Sequence, residues 1–438
     1  MRRQLNSLGL FILIVSIESI FTVLQFNSNF SENDQLRLST IVKPQFIGLN
    51  NNRQYKVICY YYAVEAWYRT SRGMFLPEDI DASKCTHLHY AYTVLNSETL
   101  LMEPSDKWAE IDNRFYERVI SLKETNRGLK ILLSIGGWSE QSDKFSTLVS
   151  ERLNRKAFID HAITFLLLHG FDGLDLAWFY PVCWNGDCRQ QNSHSDDREN
   201  FGLFVRELKD AFDQSESRLL VTATVSGDPM IAKRSYDFVS LSRLDYINVM
   251  TFDYVAHWNQ LTGHQSPLFS QPGFAVDLNA NSSLHLYISK GIPSRKLILG
   301  LPSFARSFTL VDPNDHGIGA AVKGPGDKGE FTLADGLLAF YEICDRIQKK
   351  GWKLVRDSES ELFYTYYNNQ WASFDHPLTV ARKSQYVKTH DLGGIMIWDI
   401  DRDDFHGNCF GRKFPLLTAI NSILIHGKSI KMIPGNNL

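Results

Sequence analysis

The stretch FDGLDLAWFYP, from Phe171 to Pro181, decides the fold of this chain. It begins as an apolar strand and ends at a proline, which has no N–H group to give to a sheet. In an extended strand, side chains two residues apart share a face. We therefore predict that Asp175, Ala177 and Phe179 point to one side of the sheet, while the residues between them point to the other.

Seven further apolar runs accompany this stretch, and helical patterns separate them. With it, the predicted strands lie at 56–64, 85–95, 129–137, 171–181, 218–226, 245–253, 296–304 and 393–401. Helical patterns lie at 115–123, 155–168 and 198–212. Eight apolar strands that alternate with helices are typical of a parallel barrel, so we predict an α/β fold, a (β/α)8 TIM barrel. A doubly wound sheet is the alternative architecture.

The last two predicted strands are separated by a much longer segment than the others. This gap is too long for one helix and a loop, so we predict a small α+β insertion subdomain between strands 7 and 8, at about 307–378. It contains a helical pattern at 336–350 and strand-like runs between 362 and 375.

The N-terminus has the features of a targeting segment. Two arginines precede an apolar run from Leu8 to Ile17, which is short for a membrane span and suits a secretory signal peptide. We assign 1–25 to a signal peptide, with a signal anchor as the alternative, and 26–53 to a flexible segment. The barrel is predicted at 54–428, with a tail at 429–438. We therefore expect secretion, and no membrane contact beyond the signal segment.

Six cysteines follow this signal-like segment, and their even number favours disulfide bonds. Many connectivities are open, but proximity favours a small ring and leaves the other four cysteines as two neighbouring pairs. The small ring is expected to shape a loop more than to hold the fold. Two Asn-x-Ser sequons, Asn29 and Asn281, agree with a secreted glycoprotein. The candidate pairs are Cys183–Cys188, Cys59–Cys85 and Cys344–Cys409.

Composition and spacing limit the classes of partner. The 438-residue chain has a formal net charge of −3 and no dense stripe of lysine and arginine, so nucleic acid is not expected. No cofactor or metal site is predicted. The spacing of Cys183 and Cys188 does not suit a metal, and we interpret His87 and His89 as barrel histidines with satisfied hydrogen bonds.

Further histidines and acidic runs give no catalytic spacing. His257 and His264 have no acidic or thiol partner at ligand spacing, so we interpret them as surface groups. We interpret the acidic residues within 196–199 and 401–404 as solvated loop residues.

The Phe171 stretch resembles the signature of the glycoside hydrolase family 18 chitinases, D-G-x-D-x-D-W-E-Y-P. The resemblance covers nearly the whole chain after Tyr55, and it implies the barrel. It also places Cys59–Cys85 and Cys344–Cys409 where the family has bridges. Further motifs that resemble the family, in the same order, are KILLSIGGW (130–138), MTFDYVAHW (250–258), GLPSFARSFTL (300–310) and GGIMIWDIDRDDFHGNC (393–409).

The resemblance also implies that the catalytic groups are missing. Family hydrolysis is substrate-assisted: one acid protonates the leaving oxygen, and other groups hold the sugar's acetamide. Asp175 matches the signature, but Ala177 stands in place of the second acid and Phe179 in place of the catalytic Glu. Two tyrosines of the family correspond to Phe252 and Phe304. We therefore expect a catalytically inactive chitinase-like protein, or pseudoenzyme.

Two subfamily features accompany this expectation. The residues PVCWNGDC (181–188) are similar to a loop of some arthropod chitinases. Ala177, within DGLDLA, is similar to the insect imaginal disc growth factors, although those proteins carry Gln where this chain has Phe179. The growth-factor resemblance is therefore incomplete.

The cleft lining of the family is largely retained, with Trp398 as the expected floor under a sugar ring. The competing interpretation is that these aromatics only pack the barrel. One Trp of the family's cleft is replaced by Val64. The candidate carbohydrate-binding residues are Tyr60, Tyr92, Trp138, Met250, Asp253, Trp258, Arg306 and Trp398.

Three uses follow from this combination. The protein is expected to be a lectin for chitin or chito-oligosaccharides, or an extracellular growth or signalling factor whose partner is an unidentified extracellular protein. The loss of polar groups favours the second use, because such groups make an N-acetyl site selective. The alternative is a glycoside hydrolase with altered chemistry that uses Asp253 or Asp175.

Overall fold

The computed structural model describes residues 54–190, 193–357 and 362–428. The predicted signal segment, the N-terminal lead-in, the C-terminal tail and Asn29 lie outside these residues. In the described part of the chain, every helix falls short of the length and apolar character that crossing a membrane requires.

The strands follow the predicted apolar runs closely. In chain order the described strands are β1 (Lys56–Tyr62), β2 (His87–Leu95), β3 (Met102–Pro104), β4 (Lys130–Gly136), β5 (Gly173–Ala177), β6 (Leu220–Ser226), β7 (Tyr246–Met250), β8 (Leu297–Pro302), β9 (Phe304–Leu310), β10 (Val322–Pro325), β11 (Leu337–Ala339), β12 (Lys353–Arg356), β13 (Phe363–Tyr367), β14 (Gln370–Phe374) and β15 (Gly394–Trp398).

Eight of these strands form a closed parallel barrel, in the order β1, β15, β8, β7, β6, β5, β4, β2, and β2 pairs back to β1. The short strand β3 adds to β2 in antiparallel orientation. This arrangement confirms the predicted (β/α)8 barrel and excludes the doubly wound sheet, because a doubly wound sheet keeps two open edges.

The helices also match the predicted patterns. The helix predicted at 155–168 is α5 and that at 198–212 is α6, while the one predicted at 115–123 is divided at Ser121 into α2 and α3. In chain order the described α-helices are α1 (Ala63–Tyr68), α2 (Phe115–Ile120), α3 (Leu122–Thr125), α4 (Ser142–Ser150), α5 (Arg152–His169), α6 (Asp197–Gln214), α7 (Pro229–Ser235), α8 (Phe238–Leu241), α9 (Ala280–Ser289), α10 (Phe340–Lys349), α11 (Pro377–Thr389) and α12 (Pro415–Leu424).

The register of the central strands fixes the two faces of the Phe171 stretch. Asp175 of β5 pairs with Ser134 of β4 on one side and with Thr222 of β6 on the other. These three polar side chains are hydrogen-bonded to one another inside the barrel. Trp178, on the other face, packs against Phe145 of α4 and Phe201 of α6. The predicted division of the stretch into two faces is confirmed.

The predicted insertion between the seventh and eighth barrel strands is present. Strands β9 to β14 form a second sheet, in which β9 pairs with β10, β11 and β14. Its first strand starts at Phe304, close behind the last residue of β8. The sheet has an apolar cluster of its own that includes Phe308, Leu310 and Trp371. The helix predicted within 336–350 is α10.

The three predicted disulfide bonds are confirmed. Cys59–Cys85 joins β1 to the segment before β2, and Cys344–Cys409 joins α10 of the insertion to the loop after β15. Cys183–Cys188 closes a short loop after β5, with a Cα–Cα distance of 3.9 Å.

The interpretation of the acidic run at 401–404 as solvated was wrong. Asp401, Asp403 and Asp404 are fully buried. Asp401 accepts a hydrogen bond from the Tyr62 N–H and lies 2.8 Å from an Arg69 nitrogen. The other two accept backbone N–H groups, those of Leu417 in α12 and Cys409 respectively. Burial of these acidic side chains is tolerated because each of them is paired or hydrogen-bonded. Burial raises the pKa of Asp403 to about 7.

Two further surface assignments need the same correction. Asp197, within 196–199, is buried. Its carboxylate accepts hydrogen bonds from the Ser146 hydroxyl and from the Trp184 indole N–H. His264 is also buried, and its burial lowers the pKa of the imidazole to about 4. His257 is partly exposed.

Candidate functional site

A cleft of about 680 Å³ opens at the carboxyl ends of strands β4 to β8. Its lining includes Trp138 after β4, Tyr180 after β5, Asp228 after β6 and Phe252 after β7. Active and binding sites of TIM barrels lie at this end, because the loops that follow the strands converge there. The cleft is therefore the candidate site.

Below the cleft, Asp175 lies fully buried inside the barrel. Its carboxylate is saturated with hydrogen bonds, and Ser134 Oγ and Thr222 Oγ1 are each 2.6 Å from one of its oxygens. His89 Nδ1 lies 3.6 Å from the same carboxylate. The side chains that donate hydrogen bonds to Asp175 are Tyr60, Ser134, Thr222, Thr224 and Asn248.

These contacts keep Asp175 ionised. Burial alone raises the pKa of the carboxyl group, but the contacts with His89 and with the hydroxyl donors lower it by more, to about 2. Asp175 therefore holds no proton near neutral pH, and its hydrogen bonds tie β5 to β1, β4, β6 and β7.

One row higher on the same face, the stretch carries only hydrocarbon. Ala177 is fully buried and Phe179 is 3% exposed. The Phe179 ring lies 4.9 Å from the Trp138 ring and 6.2 Å from that of Trp398, measured between centroids. A phenyl ring thus occupies the position at which the family resemblance places a carboxylic acid.

Trp398, the predicted floor, is covered by other aromatic rings and is 5% exposed. Tyr60 stacks on it with a centroid distance of 4.5 Å, and Phe252 lies at 6.1 Å. Phe304 in turn packs edge-on against Phe252 at 5.9 Å. We call Phe179, Phe252, Phe304 and Trp398 together the aromatic plug.

Beside the plug, the cleft keeps an open wall. Trp138 is 47% exposed and Trp258 is 57% exposed, so both indoles present a free surface. Arg306 donates from Nε and Nη2 to the two oxygens of Asp253, at 2.7 and 2.6 Å, and its guanidinium also lies over the Trp258 ring. This bidentate pair holds both side chains in fixed orientations.

The predicted carbohydrate-binding residues thus fall into two groups. The cleft is lined by Trp138, Met250, Asp253, Trp258 and Arg306. The other three, Tyr60, Tyr92 and Trp398, lie beneath this lining in the aromatic interior. For this second group the structure favours packing, the competing interpretation.

Sequence reasoning missed a part of the cleft wall formed by the small disulfide loop. Asn185, Gly186 and Asp187, between Cys183 and Cys188, line the cleft. The sequence analysis predicted that the small disulfide ring shapes a loop, but it did not predict that this loop faces the cleft. Tyr180, Asp228 and Tyr254 were also missed.

A second exposed aromatic group lies in the chain segments that follow β1 and β3, with Tyr68 at the end of α1. Tyr68 and Trp108 are each 60% exposed, and the Tyr68 hydroxyl donates a hydrogen bond to Asp106 at 2.7 Å. Neither residue lines the cleft described above. Their exposure was not predicted.

The histidines predicted to have satisfied hydrogen bonds are only partly satisfied, because the buried His89 Nδ1 has no hydrogen-bond partner among the described residues. His87 Nδ1 lies 2.8 Å from Thr86 Oγ1, and His89 Nε2 lies 2.8 Å from the Tyr246 hydroxyl. No group of three or more metal-ligating side chains occurs among the described residues. The sequon residue Asn281 lies in α9, half-buried, and its side-chain oxygen accepts a hydrogen bond from a tyrosine.

Comparison with known proteins gives a consistent picture. Residues 56–403 match the model of the family described as glycosyl hydrolases family 18. The chain is 44% identical over 392 residues to the probable chitinase 10 of Drosophila melanogaster, an alignment that covers 88% of this chain. It spans only 17% of the length of that relative.

Two solved structures are similar over most of the chain. The second catalytic domain of the group II chitinase of Ostrinia furnacalis superposes with a TM-score of 0.82 at 39% identity, covering 86% of this chain and 98% of that one. Human YKL-39 superposes with a TM-score of 0.77 at 35% identity, covering 84% and 99%. It is described as a pseudo-chitinase with retained chitooligosaccharide binding properties.

Proposed function

Because this chain belongs to glycosyl hydrolase family 18, we propose that it is an extracellular chitinase-like protein that binds chito-oligosaccharides without hydrolysing them. The observation that carries the proposal is the buried ring of Phe179, held between Trp138 and Trp398. A general acid must bring a proton within hydrogen-bond reach of the leaving oxygen, and a phenyl ring has none to give.

The size of the expected loss supports this proposal. Removing a general acid costs about 10²–10⁴-fold in rate, and removing one group that stabilises the developing charge costs about 10²–10³-fold. Here Phe179 stands at the position of the acid, and Ala177 and Phe252 stand at positions that hold the acetamide in the family. Losses of this kind are not additive, but each of them lowers the rate.

Asp175 and Asp253, the two acids that the family resemblance retains, are poorly placed to replace the missing one. Asp175 is fully buried and ionised, with several donors already bound to it. Asp253 has both oxygens engaged by Arg306. No contact of either residue specifically favours the alternative of a hydrolase with altered chemistry.

Sugar binding is supported by the open indoles. Pyranose rings have apolar C–H faces that stack on aromatic side chains, and Trp138 and Trp258 offer such faces on one cleft. YKL-39 is described as a pseudo-chitinase that retains chitooligosaccharide binding. The same combination of an inactive site and sugar binding is what we propose for this chain.

An extracellular location is supported by the three disulfide bonds, because such bonds persist in oxidising compartments. The signal-like segment agrees with it. A growth or signalling role on an extracellular protein partner remains the second use of the same inactive barrel.

The test is a tryptophan fluorescence titration with the hexamer of N-acetylglucosamine, followed by analysis of the mixture for shorter products. Saturable quenching with intact hexamer is the expected result, and it should weaken in Trp258→Ala. Absence of any response would reject sugar binding and direct the search to protein partners. Shorter oligomers would reject the inactive assignment.

A further inference from the structure

Resting on this proposed function, we propose that the open cleft selects protonated amino sugars, such as oligomers of glucosamine, over their N-acetylated counterparts. The first observation is the charge of the cleft. Among its lining residues, three carboxylates, those of Asp187, Asp228 and Asp253, accompany the single guanidinium of Arg306. A cleft with an excess of one sign of charge concentrates ligands of the opposite sign.

The only cation of this lining is already committed. Arg306 uses Nε and Nη2 for the two oxygens of Asp253, and its face lies 5.4 Å from the centre of the Trp258 ring. It therefore neutralises one carboxylate and leaves the charges of Asp187 and Asp228 in place.

Each of these two carboxylates keeps one oxygen for a ligand. Asp228 caps α7 through Oδ1, which accepts the N–H groups of Met230 and Ile231, while its Oδ2 accepts no hydrogen bond from the described residues. Asp187 uses Oδ1 for the N–H of Arg189, and its Oδ2 is likewise without a donor in the described part of the chain. Both residues are held by their backbone contacts and can accept from an ammonium group.

The aromatic wall adds to the same preference. The face of an indole carries negative potential, which attracts a cation placed above it. Trp138 and Trp258 are both about half exposed within this cleft. A glucosamine unit could thus stack its C–H face on an indole while its ammonium group reaches a carboxylate.

The plug disfavours the N-acetylated sugar. In the family an acetamide is held by polar groups, whereas here the corresponding Ala177 and Phe252 are buried hydrocarbon. An amide buried without hydrogen-bond partners loses its hydration and gains nothing in return. An ammonium group at the solvated carboxylates avoids this cost.

The experiment compares two probes, the hexamer of glucosamine and the hexamer of N-acetylglucosamine, at mildly acidic pH and low salt, by tryptophan fluorescence. We expect the glucosamine hexamer to bind about tenfold more tightly, and its affinity to fall as salt is added. Asp187→Asn and Asp228→Asn should each weaken glucosamine binding by about three- to tenfold and weaken binding of the N-acetylated hexamer by less, so that the preference between the two hexamers narrows. Asn still caps a helix, so α7 is preserved in the second variant.

Glu124→Gln is the matched control, because it removes one exposed carboxylate from α3, outside the cleft. Equal weakening in the control would show non-specific attraction of a polycation and would overturn the proposal. Equal affinity for the two hexamers would overturn it too, while leaving the proposed function intact. If neither hexamer binds, the proposed function fails as well.

Discussion

The interior and the mouth of the barrel differ in chemistry although the same strand passes through both. In the interior, Asp175 of β5 is surrounded by hydroxyl, amide and imidazole groups. At the mouth, two and four residues further along, Ala177 and Phe179 contact hydrocarbon and aromatic rings. A boundary between a polar network and an aromatic plug therefore crosses one short stretch of chain.

This difference separates the requirements of the fold from those of the reaction. Asp175 connects β5 to four other barrel strands, so the barrel needs it whether or not a reaction occurs. Ala177 and Phe179 at the mouth offer no polar group to neighbouring strands, so the barrel closes without such hydrogen bonds from these two positions. A retained acid of a catalytic signature is therefore weak evidence of activity when it lies in the interior.

The largest expected effect is in the interior. Asp175→Ala leaves the surrounding donors without their acceptor, and we expect the free energy of unfolding to fall by about 3–5 kcal/mol. Denaturation with guanidinium chloride measures it. Asp187→Ala, an exposed acid of the mouth, is the control and should change stability by about 0.5 kcal/mol or less. Similar losses of stability in both variants would contradict the conclusion that the fold depends on the interior and not on the mouth.

The second effect concerns the plug. Phe179→Ala opens a cavity beside Trp398, so we expect a loss of about 3 kcal/mol and a greater accessibility of that indole to acrylamide. Denaturation and fluorescence quenching report the two changes. Phe269→Ala removes a ring that is 57% exposed and should change neither. Unchanged quenching in Phe179→Ala would mean that the ring does not cover Trp398.

The third effect is a pH dependence of the interior. Folding lowers the pKa of Asp175 from 3.8 to about 2, so its ionised form stabilises the protein above pH 3.8, and this contribution is lost as the pH falls through 2. The stability difference between the wild type and Asp175→Asn should therefore shrink by about 2 kcal/mol over this window. Denaturation curves at several acidic pH values measure it. A difference that stays constant would show that Asp175 gains no stabilisation from its charge.

The smallest effect concerns the open wall of the mouth. Trp258→Ala should weaken binding of the N-acetylglucosamine hexamer by about tenfold, because one stacking surface is lost. Isothermal titration calorimetry gives the affinity. Tyr367→Ala, which removes an exposed ring from the inserted sheet, should bind like the wild type. If the two variants behave alike, Trp258 is not part of the binding site.

Most of the fold was predictable because its signals are local. Apolar runs, helical periodicity and the long gap before the last strand are visible in the sequence, and the structure contains each of them. The loop after β15 was misread for the opposite reason. A run such as DIDRDD has the composition of a solvated loop, and its burial depends on tertiary contacts, among them one with Arg69, which lies far away in sequence.

The residues of the candidate site were predictable only in part, and the burial of its aromatic side chains was not. Trp138, Asp253, Trp258 and Arg306 were placed at the cleft by their motifs, and they line it. Whether Trp398 is an open floor depends on rings from four other segments of the chain, so the sequence could not give its exposure. The place of Asp228 in the cleft was not predicted either, because it depends on where α7 begins.

The central claim is that the mouth no longer supports hydrolysis although the barrel remains intact. The most direct measurement incubates the hexamer of N-acetylglucosamine with a molar excess of the protein for several days and follows the oligomers by mass spectrometry. The account predicts that the hexamer is recovered intact, as in a buffer control. Shorter oligomers that accumulate with the wild type, and fail to appear with Asp253→Asn, would contradict it and establish an acid that acts in place of Phe179.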